Sequence, residues 1–219
     1  MLVAVKANAQ GDTGAGVMVF ASTMSPGRAD GHESVSFTDV TTPGLGLSVY
    51  HVDRNNEKKA NAFFSLTYLR RSFHVAYSNG GLGGGTDTEA RVDLDVLYLG
   101  FGPEFRTDPS GKLTFRFGPL FGVHTGGYMT GTGSTWSMSS GTQTGSFQHA
   151  PASIFKGDAR LLLAFSWKSM ITDRIGWSLD PIIQIGLSSM MKDYRTSGMD
   201  MGIAVGLFWR SREPVVPAQ

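Results

Sequence analysis

Hydrophobic and polar positions alternate along much of this chain, most clearly between residues 89 and 128. Two apolar-rich runs in this stretch flank the turn sequence Thr-Asp-Pro-Ser-Gly at 107–111. On the second run the even positions are mostly small, polar or charged, and the odd positions are bulky and apolar: Leu113, Phe115, Phe117, Pro119, Phe121 and Val123. A period of two is typical of a β-strand whose faces meet different surroundings. The stretch therefore predicts a hairpin of two long strands.

Similar patterns predict six further strands, which gives eight in all. The expected strands are residues 14–24, 43–52, 60–78, 89–106, 112–128, 158–171, 175–191 and 199–209. Polar or glycine-rich stretches at 25–42, 79–88 and 130–156 are predicted to be loops. Within the third strand the apolar positions change parity near Arg70 and Arg71, which indicates either a β-bulge or the point where the strand leaves a membrane.

The connections between these strands alternate in length. Links after the second, fourth and sixth strands are short, and those after the first, third and fifth are long. Membrane barrels alternate in this way because short turns lie on the periplasmic side and longer loops on the extracellular side. We therefore expect a barrel over residues 14–209 and a periplasmic tail at 210–219. We expect residues 1–13 to be a signal-peptide remnant or an N-terminal extension, since Ala-Asn-Ala at 7–9 has the form of a signal-peptidase site.

The distribution of side-chain size decides which face is outside. The bulky face is almost purely Leu, Ile, Val, Phe and Trp, whereas the other is rich in Gly, Ser and Ala with scattered charges. An eight-stranded barrel has little internal room, so the small face belongs inside and the bulky face against lipid. The competing hypothesis is a soluble barrel that binds an apolar ligand, with Phe115, Phe117 and Phe121 inside.

Composition narrows the function. The 219 residues include 29 glycines and no cysteine, which suits sheets with tight turns and excludes disulfides. A net charge of +1 gives no reason to expect a nucleic-acid partner. No uncharged apolar run approaches the ~18 residues of a membrane-spanning helix.

Three tryptophans, Trp167, Trp177 and Trp209, fall at strand ends next to short turns, which predicts an aromatic belt at the periplasmic interface.

The strand-turn-strand text LYLGFGPEFR-TDPSG-KLTFRFGPLFGV, with Gly-Pro steps at 102–103 and 118–119, resembles small bacterial outer-membrane barrels. It is similar to the eight-stranded OmpX/OmpA type and to PorT-like barrels, and the last strand, GIAVGLFW, resembles the terminal strand that the barrel-assembly machinery recognises. The resemblance covers about residues 14–209. It implies an all-β, eight-stranded antiparallel up-and-down barrel in the outer membrane of a Gram-negative bacterium.

Charges on the predicted inner face are the most specific candidate site. Glu104, Arg116, Lys168 and Asp180 all fall near the short-turn ends of neighbouring strands. An unpaired charge in a narrow lumen is costly, so we expect a salt-bridged cluster that blocks the lumen and fixes the strand register. The alternatives are a conduction gate and an active site. A similar cluster, higher in the barrel, is expected from Arg91, Asp93 and Asp95.

Catalytic and metal chemistry find little support. The five histidines have no recognised ligand spacing, so neither a metal nor another cofactor is expected. His124 is predicted to point into the upper lumen, where it would serve as a general base only with a serine or carboxylate beside it. We therefore expect a non-enzymatic barrel with a structural or surface-binding role, and a place as a subunit of a larger envelope assembly is one form that this role could take. A lipid-modifying barrel enzyme and a narrow channel are the alternatives.

The expected partners are membrane lipid, lipopolysaccharide and a protein at the cell surface. The third and fifth strands exceed the ~10 residues that cross a bilayer, so their ends should project beyond it. Projecting edges bind partners by strand addition. Trp136, Phe147 and His149, in the stretch at 130–156, are the candidate surface-binding residues.

Overall fold

The computed structural model describes residues 10–25, 34–38, 43–54, 59–81, 83–152, 154–188 and 197–211, which form ten β-strands. The strands are β1 (Gln10–Ser25), β2 (Ser34–Thr38), β3 (Pro43–Arg54), β4 (Ala60–Gly81), β5 (Gly84–Arg106), β6 (Leu113–Ser137), β7 (Gly141–Pro151), β8 (Gly157–Met170), β9 (Ile175–Gly186) and β10 (Ser197–Arg210). No helix in the described residues is long and apolar enough to cross a membrane.

Eight of these strands close into an antiparallel barrel. The order around the wall is β1, β3, β4, β5, β6, β8, β9 and β10. The pairing of β1 with β10, from Asp12↔Arg210 to Ser25↔Ser197, joins the first strand to the last. Closure gives every wall strand two partners and removes free edges from the barrel wall. The predicted eight-stranded up-and-down barrel is confirmed.

The remaining two strands lengthen one side of the barrel. β2 pairs with β4 beyond the end of β3, and β7 pairs with β6 beyond the end of β8. The predicted loops at 79–88 and 130–156 are therefore largely wrong, since β4 and β5 pair as far as Gly81↔Gly84 and β6 and β7 form a hairpin. β2 likewise lies in the predicted loop at 25–42. The strands were missed because Gly, Ser and Thr give no apolar period in a stretch such as β7, where both faces are exposed.

Several strand ends also extend further than predicted, whereas β9 ends at Gly186, short of the predicted residue 191. β1 begins at Gln10 instead of residue 14, and β10 continues to Arg210. Residues 1–9 and 212–219 lie outside the described residues, so the signal remnant and the periplasmic tail remain predictions. β4 has no bulge near Arg70, because its register with β5 is unbroken. The register shift lies instead between Asp95 and Val96 of β5, opposite β6.

The β5–β6 turn is built around Asp108. Its carboxylate accepts hydrogen bonds from the backbone N–H of Ser110 at 3.1 Å and of Leu113 at 2.6 Å, and from the Ser110 hydroxyl. Gly111 has a φ of 65°, the left-handed conformation that glycine adopts without strain. This local hydrogen bonding makes a compact end for the hairpin, and the inward side chains of β5 and β6 begin immediately beside it.

Candidate functional site

The outer surface of the barrel is an apolar band. Outward positions on all wall strands hold large exposed apolar side chains, among them Val17, Val19, Leu45, Leu47, Leu66, Leu99, Phe121, Phe165, Ile185, Ile203, Val205 and Leu207. On β5 the band runs from Phe105 to Leu97 and stops at Asp95. Nine residues of a tilted strand match the ~25 Å apolar height of outer-membrane barrels. The inner positions, by contrast, include buried Arg, Lys, Asp and Glu side chains.

The chain is a transmembrane β-barrel of the outer-membrane type. It lies in the bacterial outer membrane, with its short turns in the periplasm and its long extensions outside the cell. The soluble alternative is wrong, because Phe117 and Phe121 are exposed on the outer surface and charges fill the interior.

The three predicted belt tryptophans lie together at the periplasmic end. Trp167 and Trp209 are about half exposed, and the rings of Trp167 and Trp177 are 5.7 Å apart. The Arg174 guanidinium lies 5.7 Å from the centre of the Trp209 ring. Their level next to the short turns suits an interfacial position, where an indole ring contacts both lipid and water. Their role as a membrane belt remains a prediction.

The four charged residues predicted for the lumen come together in the structure. Lys168 Nζ lies 2.9 Å from both Glu104 carboxylate oxygens. Arg116 Nε lies 3.6 Å from Glu104, and a terminal nitrogen of Arg116 donates to Asp180 at 2.6 Å and to Ser166 at 2.6 Å. All four side chains are at least 90% buried. The contacts join β5, β6, β8 and β9 across the lumen and thereby couple their registers.

Three further residues, missed from the sequence, complete this periplasmic charge cluster, whose members are Asp12, Arg54, Glu104, Arg116, Lys168, Asp180 and Arg210. Asp12 is fully buried and lies 2.9 Å from Arg54, 2.9 Å from Arg210 and 3.7 Å from Lys168. The three residues lie at strand ends that the sequence analysis had assigned to an extension, a turn and a tail. The sequence feature that could have identified them is their parity, because each residue continues the inward-facing alternation of its strand by one or two steps.

A second group, the upper charge cluster, consists of Arg71, Asp158, Arg160 and Asp200. Arg160 lies 2.8 Å from Asp158 and 2.9 Å from Asp200, while Arg71 lies 3.7 Å and 3.0 Å from the same two carboxylates. The Tyr98 hydroxyl donates to Asp158 and accepts from Arg71. Two cations and two anions leave this cluster neutral.

The two clusters close the lumen at two levels. Between them lies a cavity of about 40 Å³, bordered by Leu120, Ile182 and Gln184 among others. That volume holds one or two water molecules. Ions would have to displace buried salt bridges at both levels, so the interior described here offers no continuous path for conduction.

Within the described residues, His124 has no hydrogen-bond partner of the kind that a catalytic base needs. Neither ring nitrogen has a hydrogen-bond partner among the described residues, although the side chain is half-buried at the upper end of the lumen. The serine or carboxylate that the lipid-enzyme alternative requires is therefore not in place within the described part of the chain.

Above the apolar band, five strands continue outward as the projecting sheet, which we define as β2, β7 and residues 70–81, 84–95 and 126–137 of β4, β5 and β6. Its inner face has an apolar core. Phe73, Val75, Val92 and Leu94 are almost fully buried, and Phe147 and Ile154 pack against them. The parity change in β4 follows from this core, because apolar side chains turn inward once the strand leaves lipid.

The outer face of the projecting sheet is polar. Arg91, Asp93 and Asp95 lie here, so their predicted lumen cluster is wrong: they share the outward parity of the lipid-facing Leu97. Arg91 instead pairs with Asp93 at 3.0 Å, and Tyr68 donates to Asp95 at 2.6 Å. Charges are tolerated at these positions because water replaces lipid at this height.

Of the three candidate surface-binding residues, two are on the surface. Trp136 is 37% exposed, and the exposed His149 stacks on Tyr128 with ring centres 3.7 Å apart. His149 also has a φ of 53°, a conformation that a non-glycine residue rarely adopts. Phe147, half-buried against the core of the projecting sheet, is a packing residue there instead.

Comparison with protein-family models and with curated proteins finds no match. Among solved structures, the chain is similar to Ail, the attachment invasion locus protein of Yersinia pestis, at 14% identity and a TM-score of 0.42, over 92% of this chain and 99% of that one. It is similar to Neisserial surface protein A at 8% identity and a TM-score of 0.39, over 90% and 95% of the two chains. The translocator domain of the autotransporter NalP from Neisseria meningitidis has 10% identity and a TM-score of 0.30, over 92% and 88%.

Proposed function

We propose that this protein is a non-enzymatic outer-membrane barrel that presents its projecting sheet to a protein partner at the cell surface. The observation that carries the proposal is the apolar core of that sheet, which continues the core of the barrel beyond the lipid band. Val75, Val92 and Leu94 are at most 1% exposed although they lie beyond the lipid band. The extracellular part of the described chain is thus a packed extension of the barrel.

Closure of the barrel does not require such an extension. All eight wall strands are already paired within the apolar band. Short loops at the extracellular end would be enough to connect them. Ordering the backbone costs about 1–2 kcal/mol per residue, which the buried apolar side chains offset here. An ordered extension suits a binding role because it presents a fixed surface to a partner.

The edge strand β7 is the part of this surface best suited to a protein. From Gly141 to Gln148 it has neither charge nor proline, and every side chain except Phe147 is exposed. Edge strands of stable sheets are commonly protected by charged residues or proline. An unprotected edge favours strand addition, in which main-chain hydrogen bonds hold an extended segment of the partner.

Photo-crosslinking in living cells tests this role. A photo-reactive residue at Gln143, on the edge, should give a discrete protein adduct. Ser146→Lys should abolish the adduct because a lysine on an edge strand opposes pairing. Thr132→Lys is the matched control, since Thr132 is the cross-strand partner of Ser146 on the central strand β6 and is also exposed. No adduct, or equal loss in both variants, would contradict the proposal.

Lipopolysaccharide is the lipid we expect around the outer boundary of the band. Arg70 lies just above Tyr68 on the outer face, and its side chain is 63% exposed although it lies 4.0 Å from Asp95. A guanidinium at this height is suited to bind lipid phosphate groups. An Arg70→Gln variant that co-purifies with as much lipopolysaccharide as the wild type would argue against this contact.

A further inference from the structure

The periplasmic mouth of the barrel contains a cavity of about 250 Å³. The β5–β6 turn forms one side, and the ends of β8 and β10 form the other. Three cationic side chains border it: Lys112 from the turn, Lys168 from β8 and Arg210 from β10. None of the described residues that border it is acidic.

The buried charges next to this cavity do not balance. Among the described residues, the periplasmic charge cluster has four cations, Arg54, Arg116, Lys168 and Arg210, and three carboxylates, Asp12, Glu104 and Asp180, so the net charge of these seven residues is 4 − 3 = +1. Lys112 adds a further positive charge at the rim and makes no ion pair with a described residue. The upper charge cluster is neutral, so the excess positive charge lies at the periplasmic end. Uncompensated charge in a poorly hydrated site favours binding of a counterion.

Two of the three cationic groups at the mouth, Arg210 and Lys168, are held in place. Arg210 binds Asp12 through Nε at 2.9 Å, its guanidinium lies 5.6 Å from the Phe208 ring, and its side chain is 29% exposed. Lys168 is fixed by its two 2.9 Å contacts to Glu104. Met170 and Phe208 supply an apolar part of the wall. Preorganised donors beside an apolar wall bind an anion more strongly than mobile surface lysines do.

We propose that this mouth is a binding site for a periplasmic oxyanion, a carboxylate or a phosphate. The several oxygens of such a group accept charge-assisted hydrogen bonds from Lys112 and Arg210 together. A cavity of about 250 Å³ accommodates one such group with a few waters, since a water takes up about 30 Å³. A larger molecule would insert only its charged end. The site lies at the opposite end of the barrel from the projecting sheet and is independent of the function proposed for that sheet.

Calorimetric titration of the purified barrel in non-ionic detergent, at constant ionic strength set with chloride, tests the site. The two probes are inorganic phosphate, which represents a free anion, and N-acetylglycine, which represents the carboxylate end of a peptide. Saturable binding of either probe supports the proposal, and the tighter of the two identifies the source of the anion. Lys112→Gln should weaken binding roughly tenfold, the loss expected for one charge-assisted contact.

Arg174→Gln is the matched control, because it removes the same charge at the same end of the barrel from a residue that packs on the outward Trp209. It should leave the affinity unchanged. Heat-dependent gel mobility shows whether each variant has folded. Because Lys112 is exposed, its replacement should not disturb closure of the barrel. Binding of the probes no stronger than that of chloride would overturn the proposal. Equal loss of affinity in the Lys112 and Arg174 variants would also overturn it, because the loss would then reflect net charge alone.

Discussion

Replacing Glu104 by glutamine should destabilise the barrel strongly. Glu104 is fully buried, accepts both contacts from Lys168 at 2.9 Å and lies 3.6 Å from Arg116. The substitution keeps the size of the side chain but leaves four cations against two carboxylates in the periplasmic charge cluster. Removing one partner of a buried ion pair costs about 3–5 kcal/mol, because the other charge stays buried without compensation. We expect Glu104→Gln to lower the free energy of unfolding by that amount.

The measurement is equilibrium unfolding in urea of the barrel folded into lipid vesicles, followed by the fluorescence of its four tryptophans. Glu89→Gln is the control, since Glu89 is exposed on the projecting sheet and its replacement should change stability by no more than about 0.5 kcal/mol. The double variant Glu104→Gln, Lys168→Gln restores the net charge of +1 and should lose less than the sum of the single losses. A Glu104→Gln loss no larger than that of Glu89→Gln would refute the reasoning.

Three further predictions concern the lipid face, the strand contacts and the periplasmic turn. Val205→Arg, at the middle of the apolar band, should cost about 2–4 kcal/mol in the same unfolding assay, while Met199→Arg at its outer edge should cost about 0–1 kcal/mol; equal costs would contradict the position of the band. Gly118→Ala should destabilise the barrel, because the added methyl group would lie 2.1 Å from the Phe101 carbonyl oxygen. Gly133→Ala should not, because the nearest atom to its methyl group would be 3.7 Å away. Similar effects of the two substitutions would show that the strands do not pack so closely at Gly118. Hydrogen bonds from Ser110 and from the Leu113 backbone lower the pKa of Asp108, so this carboxylate stabilises the fold above the ordinary carboxyl pKa of about 4 and loses that effect as the pH falls through its lowered folded pKa. Asp108→Asn should therefore remove part of the acid destabilisation seen in unfolding midpoints measured from neutral to acidic pH, and an unchanged pH profile would contradict this role.

The sequence was most informative where lipid and lumen impose opposite demands. On β6, Phe117 and Phe121 alternate with Arg116 and Gly118, so the strand, its outward face and the inward charge all follow from one period. Glu104, Lys168 and Asp180 were found for the same reason. Barrel closure then brings these charges together at one height, although Glu104 and Asp180 are 76 residues apart in sequence.

The alternating pattern no longer identifies the strands and their inward residues where either lipid or the lumen is absent. At the strand ends Asp12, Arg54 and Arg210 have few lipid-facing neighbours, so their inward parity is the one feature that separates them from turn residues. Beyond the lipid, apolar side chains such as Phe73 and Val75 turn inward while Arg91 and Asp93 face water, which reverses the parity rule. β7 has no period because water contacts both of its faces. The projecting sheet therefore emerges only from the tertiary pairing.

The measurement that tests the central claim most directly is cysteine labelling on intact cells, which the absence of native cysteine makes unambiguous. The two substitutions are Ser139→Cys and Lys59→Cys. Ser139 is exposed at the outer tip between β6 and β7, and Lys59 is exposed beside the start of β4 at the opposite end. A membrane-impermeant maleimide should label residue 139 on intact cells, and residue 59 only after the outer membrane is opened. Labelling of residue 59 alone on intact cells, or equal labelling of both, would contradict a barrel that spans the outer membrane with its projecting sheet outside.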